Sequence, residues 1–323
     1  MPETATMHLS RTLHGHRVNT TATPSQCDIQ IETETKELFN VTLLIASKSG
    51  LYFFHQGKLE KWLTGRFYGI TERQGRWYVY SFDTSTYGRL LSFRILNHTL
   101  SDLREELRAI PPEIHQIDWL GDALLMTDTS NNRLTSYEIR NGKLTRPRHY
   151  YPAGRLKNGR QSDNYRHINS VYCDNTRILV VCHNDTRRTG RPSEIMILNH
   201  AFQVQTTIEL EGGCAHNVIP FRDSFIYCDS LGGAIDLAGT KIAVGNFPRG
   251  VAMNANLVFV GTSEFANRHE RDSTSSRIYL ISHDTNKVIA ELAIPHMGSI
   301  YELRLVHPGD LSLSRNCAPY RTL

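Results

Sequence analysis

The 323-residue chain predicts an all-β fold built from repeated four-stranded units, and three observations carry that expectation. First, a short phrase recurs ahead of an apolar run. It reads Ile114-His115-Gln116-Ile117, Arg166-His167-Ile168-Asn169 and Ala215-His216-Asn217-Val218, with variants Tyr68-Gly69-Ile70, Arg249-Gly250-Val251 and Tyr301-Glu302-Leu303. Second, successive phrases start roughly 33 to 53 residues apart, the period of propeller blades. Third, most phrases are followed by a turn, a second apolar run and a small or acidic residue, as in Leu124–Asp128 and Phe225–Asp229. Four strands per repeated unit describe a β-propeller. A sandwich gives no reason for a phrase that returns at this spacing.

In chain order, residues 1–37 are polar and Thr-rich, with His8, His14 and His16, and are expected to form a flexible N-terminal tail. Strands are expected at Val41–Ala46, Leu51–Phe54 and Leu59–Leu63, separated by Ser47–Gly50 and the hairpin turn Gln56-Gly57. The same grammar returns in Trp77–Tyr80 and Leu90–Ile95, in Leu134–Ile139, in Ile195–Leu198 with Val204–Ile208, in Ala234–Leu237 with Lys241–Val244, and in Arg277–Ile281 with Val288–Leu292. These segments are short, β-branched or aromatic, and bounded by Gly, Asn, Asp or Ser. Only Leu100–Ile110 reads as a helix, with Ser101 or Asp102 as its cap. The blade count is six if the N-terminal strands complete a blade begun by Ser299–Val306, with Tyr301–Val306 innermost, and five or seven otherwise. A single propeller domain over 38–310 and a C-terminal tail over 311–323 follow.

Composition narrows the class. A formal charge of +4 is too small to argue for nucleic acid. The six cysteines (27, 173, 182, 214, 228 and 317) contain no CxxC pair, and three lie inside apolar runs. They read as buried thiols of a reducing compartment. No window approaches the ~20 apolar residues that span a bilayer. The N-terminal stretch lacks the hydrophobic core of a secretory signal, so the expected location is cytoplasmic.

The innermost strand of a propeller blade starts near one face and lines the central channel, so equivalent residues converge on the axis. The expected ring is Tyr68, His115, His167, His216, Arg249 and Glu302, one per blade. Asp128, His183, Asp229 and Glu264 form a second tier, the three carboxylates read as turn residues that satisfy local amides. Three imidazoles on one axis suit a divalent transition metal (Zn, Fe, Mn or Cu) and leave positions for water and substrate. Arg249 is placed to grip a carboxylate or phosphate, or else to pair with Glu302. Glu302 is read as a general base or a fourth ligand. Tyr68 is read as acid, base or packing. From Arg140 to Arg191 there are twelve Lys/Arg against three Asp/Glu, with tyrosines interleaved. Such a rim would concentrate a small anionic substrate.

This pattern resembles the six-bladed propellers of the NHL and SMP-30-like type. It is similar in particular to the peptidyl-hydroxyglycine lyases, whose axial Zn is held by histidines from separate blades with Arg and Tyr nearby. The resemblance rests on His115, His167, His216, Arg249 and Tyr68, within a repeat covering roughly residues 41–306, and it is architectural. It implies a metal-dependent lyase or isomerase working at the propeller mouth on a small anionic metabolite or a modified peptide. A three-histidine iron oxygenase is a second class, although propellers that cleave carotenoids use four axial histidines. A non-catalytic propeller that binds a glycan, peptide or protein is a third.

Overall fold

The computed structural model describes residues 16–17, 24–32, 36–82, 87–266 and 273–306. Six antiparallel sheets follow one another around a ring, as the repeat predicts. The first blade runs Phe67–Arg73, Arg76–Phe82, Gly88–Leu96 and Thr99–Ile110 from the axis outward. In the second, Ile114–Leu120, Ala123–Asp128 and Arg133–Arg140 are flanked by two short segments, Lys143–Leu144 and Arg148–Tyr150. The third holds Ile168–Cys173, Ile178–Cys182, Glu194–Leu198 and Val204–Glu209, and the fourth His216–Phe221, Ser224–Asp229, Ala234–Leu237 and Thr240–Ala243. The fifth is Phe247–Met253, Leu257–Ser263, Ser276–Ser282 and Lys287–Ile294.

The sixth blade is made from both ends of the chain. Ile300–Leu305 is innermost and pairs antiparallel with Thr42–Ser47, matching Leu303 to Ile45 and Leu305 to Leu43. Gly50–His55 and Lys58–Thr64 complete it. Each sheet is covered on both faces by its neighbours, so its strands read as nearly continuous apolar runs rather than alternating ones. Thr42–Ser47 is buried throughout. Leu43, Ile45 and Phe54 pack toward Phe259, Ile278 and Leu292 of the fifth blade. Leu44, Phe53 and Trp62 pack toward Val79, Leu91 and Phe93 of the first.

All six innermost strands share one irregularity. Each has a register shift near its start, between Phe67 and Ile70, Ile114 and Ile117, Ile168 and Ser170, His216 and Ile219, Pro248 and Val251, and Ile300 and Glu302. A β-bulge bends the strand and re-aims adjacent side chains. Here it turns consecutive residues of the recurring phrase toward the channel at two depths.

Two expectations are corrected. Leu100–Ile110 is not a helix but most of the long outer strand Thr99–Ile110. The helix-like spacing of Leu100, Leu103, Leu107 and Ile110 has another cause. Three register shifts, with Asp102 and Ala109 at φ 49° and 54°, carry the strand from one face to the other. Leu100 and Leu103 thereby join the core shared with the sixth blade, while Leu107 and Ile110 join that shared with the second. The stretch expected as a tail also contributes structure. Ser25–Cys27 pairs with Lys58–Thr64 and Gln30–Ile31 with Lys287–Ile294, while His16–Arg17 pairs with the outer strand of the first blade. Open sheet edges offer unpaired amides and carbonyls, and these segments satisfy them. His8, His14, residues 311–323 and Cys317 lie outside the described residues.

Cys27, Cys173, Cys182, Cys214 and Cys228 are free thiols, and burial pushes the thiols of Cys173, Cys182 and Cys228 upward. Among the described residues no helix is long and apolar enough to cross a membrane. Leu303 is fully buried in the innermost strand of the closing blade. Leu303→Ala is expected to lower stability by about 2–5 kcal/mol, read as a drop in the urea midpoint at unchanged slope.

Candidate functional site

The upper layer of the channel is a closed ring of aromatic and imidazole side chains drawn from every blade. Tyr301 stacks on Tyr68 at 4.3 Å between ring centroids, and Tyr68 meets His115 edge-on at 5.8 Å. His115 stacks with His167 at 5.7 Å, and His167 with His183 at 4.4 Å. His183 meets His216 at 5.1 Å, and His216 meets Phe247 at 5.7 Å. Arg249 closes the circle, its guanidinium 4.8 Å from the Phe247 ring and 5.5 Å from that of Tyr301. Above the ring opens a cavity of about 620 Å³, with Lys48, Arg66, Arg160 and Arg187 joining Arg249 on its wall. Arg160 and Arg187 come from the basic segment Arg140 to Arg191 that was expected at the rim.

Five of the six expected ring residues therefore meet at the mouth, but one arrives out of step. His216 is paired with Cys228, and the residue in that place in the third blade is Ile168, paired with Cys182. His167 lies one residue before it and reaches the ring from a left-handed backbone, φ 50°. His183, expected in a second tier, stands in the ring beside it. The third blade thus supplies two imidazoles.

Hydrogen bonding assigns the proton on each imidazole. Thr129 Oγ1 donates to the Ile168 carbonyl at 2.5 Å, so at 2.6 Å it accepts from Nδ1–H of His115. Ser230 Oγ donates to the Pro248 carbonyl at 2.7 Å and accepts from Nδ1–H of His216 at 2.7 Å. The Asp185 carboxylate accepts from Nδ1–H of His167 at 2.6 Å. In all three the neutral ring carries its lone pair on Nε2. His183 is the opposite tautomer, because its Nδ1 accepts the backbone N–H of Asp185 at 3.1 Å.

Burial holds three of these rings neutral. It pushes His167 down and drives His183 and His216 well below the usual imidazole range, with His167 and then Arg249 adding to the effect on His183, and Arg249 to that on His216. Asp185 stays ionised, its carboxyl held well below the usual range chiefly by the hydrogen bond from His167. Burial and the neighbouring Tyr301 push the Tyr68 phenol well up, so Tyr68 stays protonated, presents an O–H to the mouth and does not serve as a base.

Glu302 needs a correction. It lies one layer beneath the ring, fully buried, and its carboxylate is already engaged. It accepts from Arg304 Nη1 at 2.7 Å, from Gln116 Nε2 at 2.7 Å and from Asn217 Nδ2 at 3.3 Å. With its oxygens committed to a guanidinium and two amides below the ring, it is not placed to take a proton from a substrate held above the ring. Asp128, Asp229 and Glu264 satisfy local groups as read from the sequence: Asp128 accepts from Asn131 and Arg133, Asp229 from the amides of Gly213 and Gly232, and Glu264 from that of Ser275.

Among the described residues, one trio of His, Cys or carboxylate groups brings its ligand atoms within 4.8 Å of one another: His167, His183 and Asp185. Its short contacts are the hydrogen bonds just described. His115, His167 and His216 share the channel wall at wider spacing. Sequence reading missed Thr129, Ser230 and Asp185, the groups that orient these imidazoles. For two of them a signal exists, since a hydroxyl follows the acid in both Asp128-Thr129 and Asp229-Ser230.

No protein-family model matches the sequence, and no curated protein matches it. Solved structures match its fold. A chain of a nidogen–laminin complex is 11% identical with a TM-score of 0.60, covering 83% of this chain and 99% of that one. The periplasmic gluconolactonase of Pseudomonas aeruginosa is 14% identical with a TM-score of 0.52, over 83% and 99%. A putative 6-phosphogluconolactonase from Bacteroides fragilis is 10% identical with a TM-score of 0.50, over 85% and 100%. At these identities the likeness shows the propeller fold alone.

The depressed imidazoles fix the sign of a pH effect. Below about pH 6.5 the unfolded chain takes up protons that the folded ring refuses, so their contribution to stability is complete above that value and is lost as pH falls. The urea midpoint is expected to drop between about pH 7.5 and 5, and His183→Gln is expected to flatten the slope. A midpoint independent of pH over that window would show that the ring is not desolvated.

Proposed function

We propose that the mouth is the active site of an enzyme acting on a small anionic substrate, with a divalent transition metal held by Nε2 of His115, His167 and His216. The observation that supports this reading is the shared tautomer. Three imidazoles from three blades, His216 buried and His115 and His167 half-buried, each spend their Nδ1 proton on a fixed acceptor and keep a lone pair on Nε2, the state in which histidine binds metal. Asp185 behind His167 reproduces the carboxylate–histidine pairing that orients metal ligands. By ligand type the set suits a borderline metal such as Zn, Fe, Mn or Cu, and the three rings, spaced wider here than a shared ion requires, would draw together on it. Such an ion, when bound, polarises a substrate oxygen or lowers the pKa of bound water.

The chain's own residues set the rest. Arg249 is fixed by two aromatic faces with its charge at the mouth and anchors the substrate's anionic group. Lys48, Arg66, Arg160 and Arg187 raise the local concentration of anions. Tyr68, kept protonated, delivers a proton, and His183 presents the only ring of opposite tautomer. Lyase or isomerase chemistry, the class we assign, must also take a proton from the substrate carbon, and water held at the ion would accept it while Tyr68 protonates the departing or receiving oxygen.

Two measurements test this reading. Elemental analysis of freshly purified, tag-free protein is expected to find about one transition-metal ion per chain, and a chain free of metal after growth in metal-supplemented medium would overturn the assignment. His167→Ala is expected to lose the ion, while Asp185→Asn lowers metal affinity about 10- to 100-fold with the fold retained by circular dichroism. Arg249→Lys keeps the charge but loses the planar fork, and is expected to weaken binding of a small carboxylate about tenfold in calorimetric titration.

A further inference from the structure

The wall of the mouth is not uniformly polar. Leu231 and Phe265 both line the cavity, yet their side chains are 41% and 52% exposed. Large apolar side chains left open at the rim of a concave site mark a surface made for an apolar ligand group. They are also held in place. The Arg187 guanidinium lies 5.0 Å from the Phe265 ring, Phe265 sits 5.5 Å from Phe247, and Phe247 carries Arg249 on its other side at 4.8 Å. From the third-blade loop that carries Arg187 to Arg249 of the fifth blade, this side of the mouth therefore runs cation, phenyl, phenyl, cation. The remaining cations, Lys48, Arg66 and Arg160, face it from the other blades, with Arg160 paired to Glu113.

A sugar acid, with hydroxyls on every side, would find partners on the Tyr68, Tyr301 and Glu113 side of the wall but would leave hydroxyls against the apolar faces of Leu231, Phe247 and Phe265 on this one. An aromatic anion matches both halves of the wall. We infer that the substrate carries its anionic group, carboxylate or phosphate, on an aromatic body that lies against Phe247 and Phe265 while Arg249 holds the charge. This rests on the reading of the mouth as an anion site and adds the chemical class of the substrate to it.

The test is calorimetric titration of the protein as purified with matched pairs: 3-phenylpropanoate against propanoate, phenyl phosphate against methyl phosphate, and gluconate as the hydroxylated control. Burial of one phenyl face and edge predicts that at least one aromatic probe binds about 10- to 100-fold tighter than its aliphatic partner and than gluconate. The carboxylate and phosphate arms tell which anion is preferred. Phe265→Ala, at an exposed position, is expected to bring that ratio down toward one. Equal or tighter binding of gluconate and the aliphatic anions, lost on Arg249→Ala, would overturn the aromatic assignment and leave the anion site standing. Failure of every probe to bind the unaltered protein would overturn both.

Discussion

Everything at the mouth is registered by a buried polar hub one layer below it. Glu302 enters the channel from the closing blade, and its carboxylate receives Arg304, Gln116 and Asn217. Each partner passes the connection on: Arg304 Nε donates to the Ile70 carbonyl of the first blade, Gln116 Oε1 accepts from Val171 of the third, and Asn217 Oδ1 accepts from Gly250 of the fifth. One continuous set of hydrogen bonds thus touches all six blades. An isolated buried carboxylate costs several kcal/mol, and that penalty is offset only where a counter-charge and further donors complete its coordination. The hub meets that condition. Its contribution is register: every inner strand is held by at least one hydrogen bond of the hub at or next to the residue that faces the axis.

Room for the hub comes from what the other blades omit. At this layer the second, third and fourth blades present Gln116, Asn169 and Asn217, while the first and fifth present Gly69 and Gly250. A Cβ on Gly69 would lie 2.5 Å from the amide nitrogen of Ile117, so that blade can approach its neighbour only as glycine. With the lower layer locked, the bulge delivers the preceding residue of each phrase to the upper layer, where the aromatic and imidazole ring forms. Conformational strain collects here too. His167, Asn184, Asp185 and Asn217 all adopt left-handed backbone, with φ between 48° and 57°. Each such non-glycine residue costs of order 1 kcal/mol and persists where the surroundings over-determine it. The strained Asn184-Asp185 turn is what sets a carboxylate behind His167.

Much of this was legible in the sequence, for a physical reason. A repeated blade must repeat its turn chemistry and its apolar runs, so the propeller fold and the convergence of Tyr68, His115, His216 and Arg249 could be read from spacing, and a count of six followed once closure by both termini was assumed. What spacing cannot report is a bulge. An extra residue moves a side chain by one position without altering the pattern, which is why His167 is one step off its counterparts and why Leu103 and Leu107 imitate a helix. Glu302 was misread for a related cause: it occupies the second residue of its phrase, and at the bulge the second residue points down to the hub while the first, Tyr301, points up to the ring. Asp185 had no precedent in the other blades and so no periodic signal.

The central claim is the protonation pattern of four rings, and long-range proton–nitrogen NMR of the ¹⁵N-histidine-labelled, metal-stripped protein reads it directly. At a pH of about 7.5 His115, His167 and His216 should each show a protonated Nδ1 and a bare Nε2, with His183 reversed. Imidazolium signals, or Nε2–H on any of the three, would contradict the ring as described.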